Sequence, residues 1–125
     1  RKQNQDLKHQ VWSLEAPHAE PKNGWVIQFK DDLTADELRQ CCQIYGQQTN
    51  RSIVLSQVDA DDRADGSHDY RYAMLAADGD IRSLAKAFNS QFAGRGGGSA
   101  NLVQGTACGR KDDIEAFFGQ SSQVP

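Results

Sequence analysis

Apolar positions along the chain follow two periods, one near 3.6 residues and one near 2, and they alternate. In residues 1–16, Leu7, Val11 and Leu14 fall four and three apart, with Trp12 beside them. That spacing predicts a helix with a narrow apolar stripe, as in a coiled-coil seam. Pro17 and Pro21 forbid its continuation, and Asn23-Gly24 signals a turn. Residues 25–30 (WVIQFK) are rich in β-branched and aromatic side chains and predict a strand. Thr34 and Glu37 stand three apart, the spacing of a capping box, and open a helix with Leu38, Cys41, Cys42 and Tyr45 on one face. Residues 52–58 form a short, nearly continuous apolar run, a buried strand, and residues 70–77 predict a third strand. Ile81, Leu84, Ala85, Phe88 and Phe92 keep helical spacing behind Asp80, which suits the positive end of the helix dipole. A glycine-rich stretch follows, then a short fourth strand in residues 101–105. A closing helix over 111–119 ends at Gly119. The sum is a mixed β-sheet with helices packed on it, in the α/β or α+β class, preceded by an N-terminal helix. Residues 1–16 form that helix, 22–119 the globular domain and 120–125 a frayed tail.

Composition narrows the function classes. A chain of 125 residues suits one domain, and 38% hydrophobic with 25% charged residues argues against disorder. No apolar run approaches the roughly 20 residues that span a bilayer, so no membrane partner is expected. Cys41, Cys42 and Cys108 make no C-x-x-C pair. They read as reduced thiols of a cytoplasmic protein rather than zinc ligands or a disulfide framework. The net charge of −3 excludes a protein that coats long nucleic acid, and any such contact must be local. The chain begins at Arg1 rather than Met, which suggests a piece of something longer.

Four motif readings fail on chemistry or spacing. Taking Asp61 as the first position of an EF-hand loop puts Arg63 where a ligand oxygen belongs and Tyr72 where a bidentate carboxylate belongs. The acidic stretch 59–69 is better read as a solvated hairpin loop. His9, His18 and His68 stand apart, without the spacing of a metal face. The glycine stretch lacks the Gly-Lys-Ser/Thr of a P-loop. It also follows a helix rather than a strand, the wrong order for a dinucleotide fingerprint.

What remains is the stretch itself, FAGRGGGSANLVQGTACG, with six of the 11 glycines. Each glycine costs backbone entropy on folding, so the run needs a reason. It is either a tight connection between elements or a bare loop whose N–H groups converge on an anion. In the second reading Arg95 adds a bidentate grip on phosphate and Ser99 a hydroxyl. Arg82, Lys86, Arg110 and Lys111 would widen a basic patch, or else form a solvated face.

Gly94, Gly96, Gly97, Gly98, Gln104 and Gly105 match a glycine motif, and the string resembles that of the DHH-associated domain. This is the C-terminal module of alanyl-tRNA synthetases and alanyl-tRNA editing hydrolases. The resemblance implies an accessory tRNA-binding role, for the alanine tRNA, and in some members dimerisation, here through the N-terminal helix. It assigns Arg95, Gly96, Gly97, Gly98, Ser99, Gln104 and Gly105 to nucleic-acid or phosphate binding. It implies no catalytic site and no cofactor in this segment. The synthetase site and the zinc of the editing site belong to upstream domains. DHH-family phosphoesterases carry a His after the glycines where this chain has Ser99, which weakens the alternative of a phosphoesterase substrate domain. A purely structural dimerisation domain is the other alternative.

Overall fold

The computed structural model describes residues 2–59 and 63–120, with side chains described from residue 7 to residue 119. Asp61 of the calcium test, and residues 121–125 of the tail expected at 120–125, lie outside the described residues. The elements are α1 (Lys2–Glu15), a 3₁₀ turn (Ala16–His18), β1 (Val26–Asp31), α2 (Ala35–Tyr45), β2 (Arg51–Gln57), β3 (His68–Ala76), α3 (Arg82–Gln91), β4 (Arg95–Gly98), β5 (Leu102–Gly109) and α4 (Lys111–Gln120). The expected mixed sheet is present, with strand order β1-β2-β3-β5-β4. β1 and β2 are parallel and every other pair is antiparallel. A parallel pair needs a crossover, and α2 supplies it.

Local signals placed most elements. Asn23 and Gly24 both have positive φ, 53° and 82°, and Lys22 and Trp25 exchange two backbone bonds of 2.8 Å across them. This is the turn chemistry that an Asn-Gly pair favours before a strand. At α2, Thr34 Oγ1 accepts from the Glu37 amide at 3.1 Å, and Glu37 accepts from the Thr34 amide at 2.9 Å. The capping box is complete. Lys8 adds an ion pair to Glu37 at 2.9 Å. Backbone bonding from Thr34 is the main cause that holds the Glu37 carboxyl below its ordinary value of 4.5. α4 runs one residue beyond the expected stop, through Gly119 to Gln120.

The sheet separates two cores. One face carries Ile53, Leu55, Tyr70, Tyr72, Met74, Val103 and Ala107, packed against Ile81, Leu84, Phe88 and Phe92 of the α3 segment and Ile114 and Phe118 of α4. The other carries Val26, Val54 and Ala73 against Leu38, Cys41, Cys42 and Tyr45 of α2 and Trp12 and Ala16 beyond them. Burial pushes the Cys41 and Cys42 thiols up to about 12, so both stay protonated at physiological pH. Trp12 is turned inward, 4% exposed, while Leu7, Val11 and Leu14 are 53%, 48% and 74% exposed. The N-terminal helix therefore sits on α2 by Trp12 and leaves its stripe facing out.

Two buried tyrosines differ in one bond. The Tyr72 hydroxyl donates to Asn89 Oδ1 at 2.7 Å, whereas the buried Tyr70 hydroxyl has no partner. Leaving a buried polar group unpaired costs about 1–3 kcal/mol, and a typical made bond contributes about 1 kcal/mol. Tyr72→Phe is expected to lower unfolding free energy in urea by about 1 kcal/mol, and Tyr70→Phe to leave it unchanged or raise it. A second expectation concerns acid. The depressed Glu37 pKa gives stability that is full above its ordinary value and is lost as pH falls through the folded value. Glu37→Gln should flatten the urea midpoint over that acidic window and leave a lower, pH-independent plateau above it.

Candidate nucleic-acid interface

The glycine stretch is not a loop. Arg95–Gly98 form edge strand β4, paired with β5 in the register Arg95–Thr106, Gly96–Gly105, Gly97–Gln104 and Gly98–Val103. The expected strand at 101–105 extends to Gly109. Glycine carries no strand preference of its own, so the pairing comes from β5 rather than from local propensity.

The two strands approach too closely for side chains. A Cβ at Gly98 would lie 2.1 Å from the Leu102 carbonyl oxygen. One at Gly105 would lie 2.0 Å from that of Arg95, and one at Gly96 would lie 2.6 Å from the Tyr72 hydroxyl. Tyr72, Gly105 and Gly96 form one cross-strand row. The Tyr72 side chain therefore lies across two glycines to reach Asn89 of α3, an aromatic covering bare backbone. Gly97 is different. A Cβ there would meet nothing within 4 Å, and its φ is not positive. Packing explains Gly96, Gly98 and Gly105, and it does not explain Gly97.

The main-chain groups divide in the same way. The Ser99 amide donates to the Leu102 carbonyl at 2.9 Å. The alternation of an antiparallel ladder then makes Gly97–Gln104 and Arg95–Thr106 the bonded pairs. Gly96 and Gly98 turn their N–H and C=O groups to the open edge. So half of the amides expected to face outward do so, and the others belong to the sheet. Ser99 Oγ is occupied in the turn, accepting from the Leu102 amide at 3.2 Å and the Asn101 amide at 3.4 Å. Asn101 fastens that turn to the loop before α3, donating to the Ala76 and Gly79 carbonyls at 3.0 and 2.9 Å. Gln104 donates to the Ala35 carbonyl at 2.7 Å and so braces the start of α2.

A groove of about 280 Å³ runs between α3 and β4, lined by Arg82, Lys86, Asn89 and Gly96–Gly98 among others. The Arg82 charge is spent on Asp80, at 2.6 Å. Those bonds hold the Asp80 carboxyl down to about 2. Lys86 has no ion pair. Across the described side chains, most cations are paired, among them Lys8, Lys22, Lys30, Arg39, Arg51 and Arg63. Arg110 is paired with Asp112 at 3.8 Å. Lys111 has no ion pair among the described residues, and its ammonium lies over the Phe29 ring, 5.3 Å from the centroid. The remaining unpaired cations are Arg71, Lys86 and Arg95, and all three flank β4 and β5. Arg95 projects from the sheet face opposite the groove, because it alternates with Gly96. Among the described residues no group of three or more His, Cys, Asp or Glu gathers as a metal site, and no helix is long and apolar enough to cross a membrane.

The fold decides the comparison. The chain resembles the C-Ala domain of Aquifex aeolicus alanyl-tRNA synthetase. The match has a TM-score of 0.54 at 14% identity and covers 80% of this chain and 96% of that crystal structure. At this identity the likeness to the C-Ala domain is one of fold. No protein-family model matches the sequence, and no curated protein matches it.

The glycines can be sorted by substitution. Gly97→Ala should leave the urea midpoint unchanged or slightly higher, since a compatible Gly→Ala change gains about 0.4–1 kcal/mol through the unfolded chain. Gly105→Ala should destabilise by more than that, and amide exchange at Gly97 should speed up as β4 detaches.

Proposed function

We propose that this chain is an accessory tRNA-binding domain of an alanyl-tRNA synthetase or alanyl-tRNA editing hydrolase, with the alanine tRNA as its partner. The observation that carries the reading is the collection of unpaired cations, Lys86 and Arg95 foremost, around an exposed strand edge of bare backbone. Cations and amides of this kind bind phosphate and position a nucleic acid without reading its sequence. The outward amides of Gly96 and Gly98 face the edge, Lys86 stands beside them in the groove, and Arg95 reaches from the opposite face. The likeness to a domain of an alanyl-tRNA synthetase supports tRNA as the ligand. Net charge −3 makes the affinity of the domain modest and dependent on this local patch. In fluorescence anisotropy with a tRNA transcript, the Lys86→Ala/Arg95→Ala variant should bind more weakly, and the slope of log affinity against log salt should fall by about one per lost phosphate contact. Unchanged affinity and slope would remove both residues from the interface.

A second reading rests on a separate observation, the exposure of Leu7, Val11 and Leu14. Their four-and-three spacing is that of a seam, and a second copy of α1 is its natural complement. Val11→Glu should shift sedimentation from dimer to monomer. A chain that is already monomeric at high concentration excludes this role for α1.

A further inference from the structure

We propose that the bare face of β3, β5 and β4 holds a phosphodiester of double-helical RNA between Arg71 and Arg95. This rests on the nucleic-acid reading and specifies which face is used and which form of RNA it takes. Arg71 pairs with Thr106, and Thr106 with Arg95, so the three stand in one cross-strand row. Their alternation with Tyr72, Gly105 and Gly96 puts them on the face opposite the Tyr72 core. Two strand spacings separate the outer pair, about 10 Å between Cα atoms, which two arginine side chains can close around one phosphate. Thr106 is exposed between them and offers a hydroxyl.

Neither arginine is neutralised. Asp69, on the same face one row away, is held by Arg63 at 2.9 Å. The cover of α2 reaches this side of the sheet only as far as the bond from Gln104 to Ala35. Gly97 shares the face with Arg95 and is the glycine that packing does not require. Its missing side chain keeps the approach to the row open.

The same face explains why the ligand is helical. Its positions on β5 and β4 are the exposed Thr106, Arg95 and Gly97 and the half-buried Gln104 and Cys108, and none is aromatic. The sheet's aromatics, Phe29, Tyr70 and Tyr72, lie in the opposite core. Single strands are bound by stacking their bases on aromatic side chains, and this surface has no such platform. A duplex presents phosphates with its bases already paired, so it loses nothing here.

The test uses the full chain in anisotropy titrations between about 50 and 200 mM salt, with a labelled RNA hairpin and an unstructured single-stranded oligonucleotide. Hairpin binding should be the tighter. Arg71→Ala should weaken it several-fold and lower the salt slope by about one. Arg71→Lys should recover part of the loss, because the charge returns without the bidentate fork. Gly97→Leu should weaken binding while thermal melting confirms that the variant is folded. If Arg71→Ala and Gly97→Leu bind the hairpin like the parent while Lys86→Ala alone binds it more weakly, this face is wrong and the nucleic-acid reading stands. Tighter binding of the single strand overturns the helical ligand. If the parent chain binds neither RNA, both readings fall.

Discussion

No side chain fits at Gly96, Gly98 or Gly105, where β4 and β5 meet. That steric constraint organises the end of the molecule where its unpaired charge collects. Gly96 and Gly105 face each other, and Tyr72 lies across both to reach Asn89. The ring replaces the packing that two missing side chains cannot give, and its hydroxyl ties the sheet to α3. The same contact sets the height of α3 above the edge and so the width of the groove holding Lys86. A glycine strand is a weak strand by itself. Here it is held by its ladder, by the Ser99 turn and by the Asn101 bonds that fix that turn to the loop before α3.

An exposed sheet edge usually invites pairing with another chain. β4 limits this by its length of four residues, by a charged first residue and by the flanking α3. Gly96 and Gly98 still present donors and acceptors side by side. A phosphate can use the donors and must avoid the carbonyls, so the cations beside the edge decide whether an anion is held. In a chain with three more acids than bases, pairing consumes most of the described cations and leaves Arg71, Lys86 and Arg95 around one edge, with Lys111 over Phe29.

Most of the fold was legible because its signals are local. The Thr34–Glu37 capping box, the Asn23-Gly24 turn and the helical spacing from Ile81 to Phe92 each need only a few neighbouring residues to form. β4 was not legible, since its identity as a strand lies in Leu102–Gly109 and not in its own composition. Trp12 was read beside an outward stripe and faces inward, because α2 offers a core that a stripe count cannot show. Ser99 and Gln104 were read for their ligand chemistry and are occupied by a turn and by the Ala35 carbonyl. Nothing adjacent to Arg71 in sequence marks it. Only the order β3-β5-β4 brings it into line with Arg95.

A fold shared at 14% identity carries architecture without carrying a site, because many sequences satisfy the same layers. Function has to be argued from residues that the architecture does not require. Gly96, Gly98 and Gly105 are required, since each would clash with backbone or with Tyr72. The Thr34 cap and Gln104 brace are required by α2. At Gly97, Arg71, Lys86 and Arg95 only the backbone is required: a Cβ at Gly97 would meet nothing, and the three cations have no ion pair among the described residues. A bare position and three cations without an ion pair among the described residues gather on one edge of an acidic protein. The proposed nucleic-acid contact rests on that arrangement.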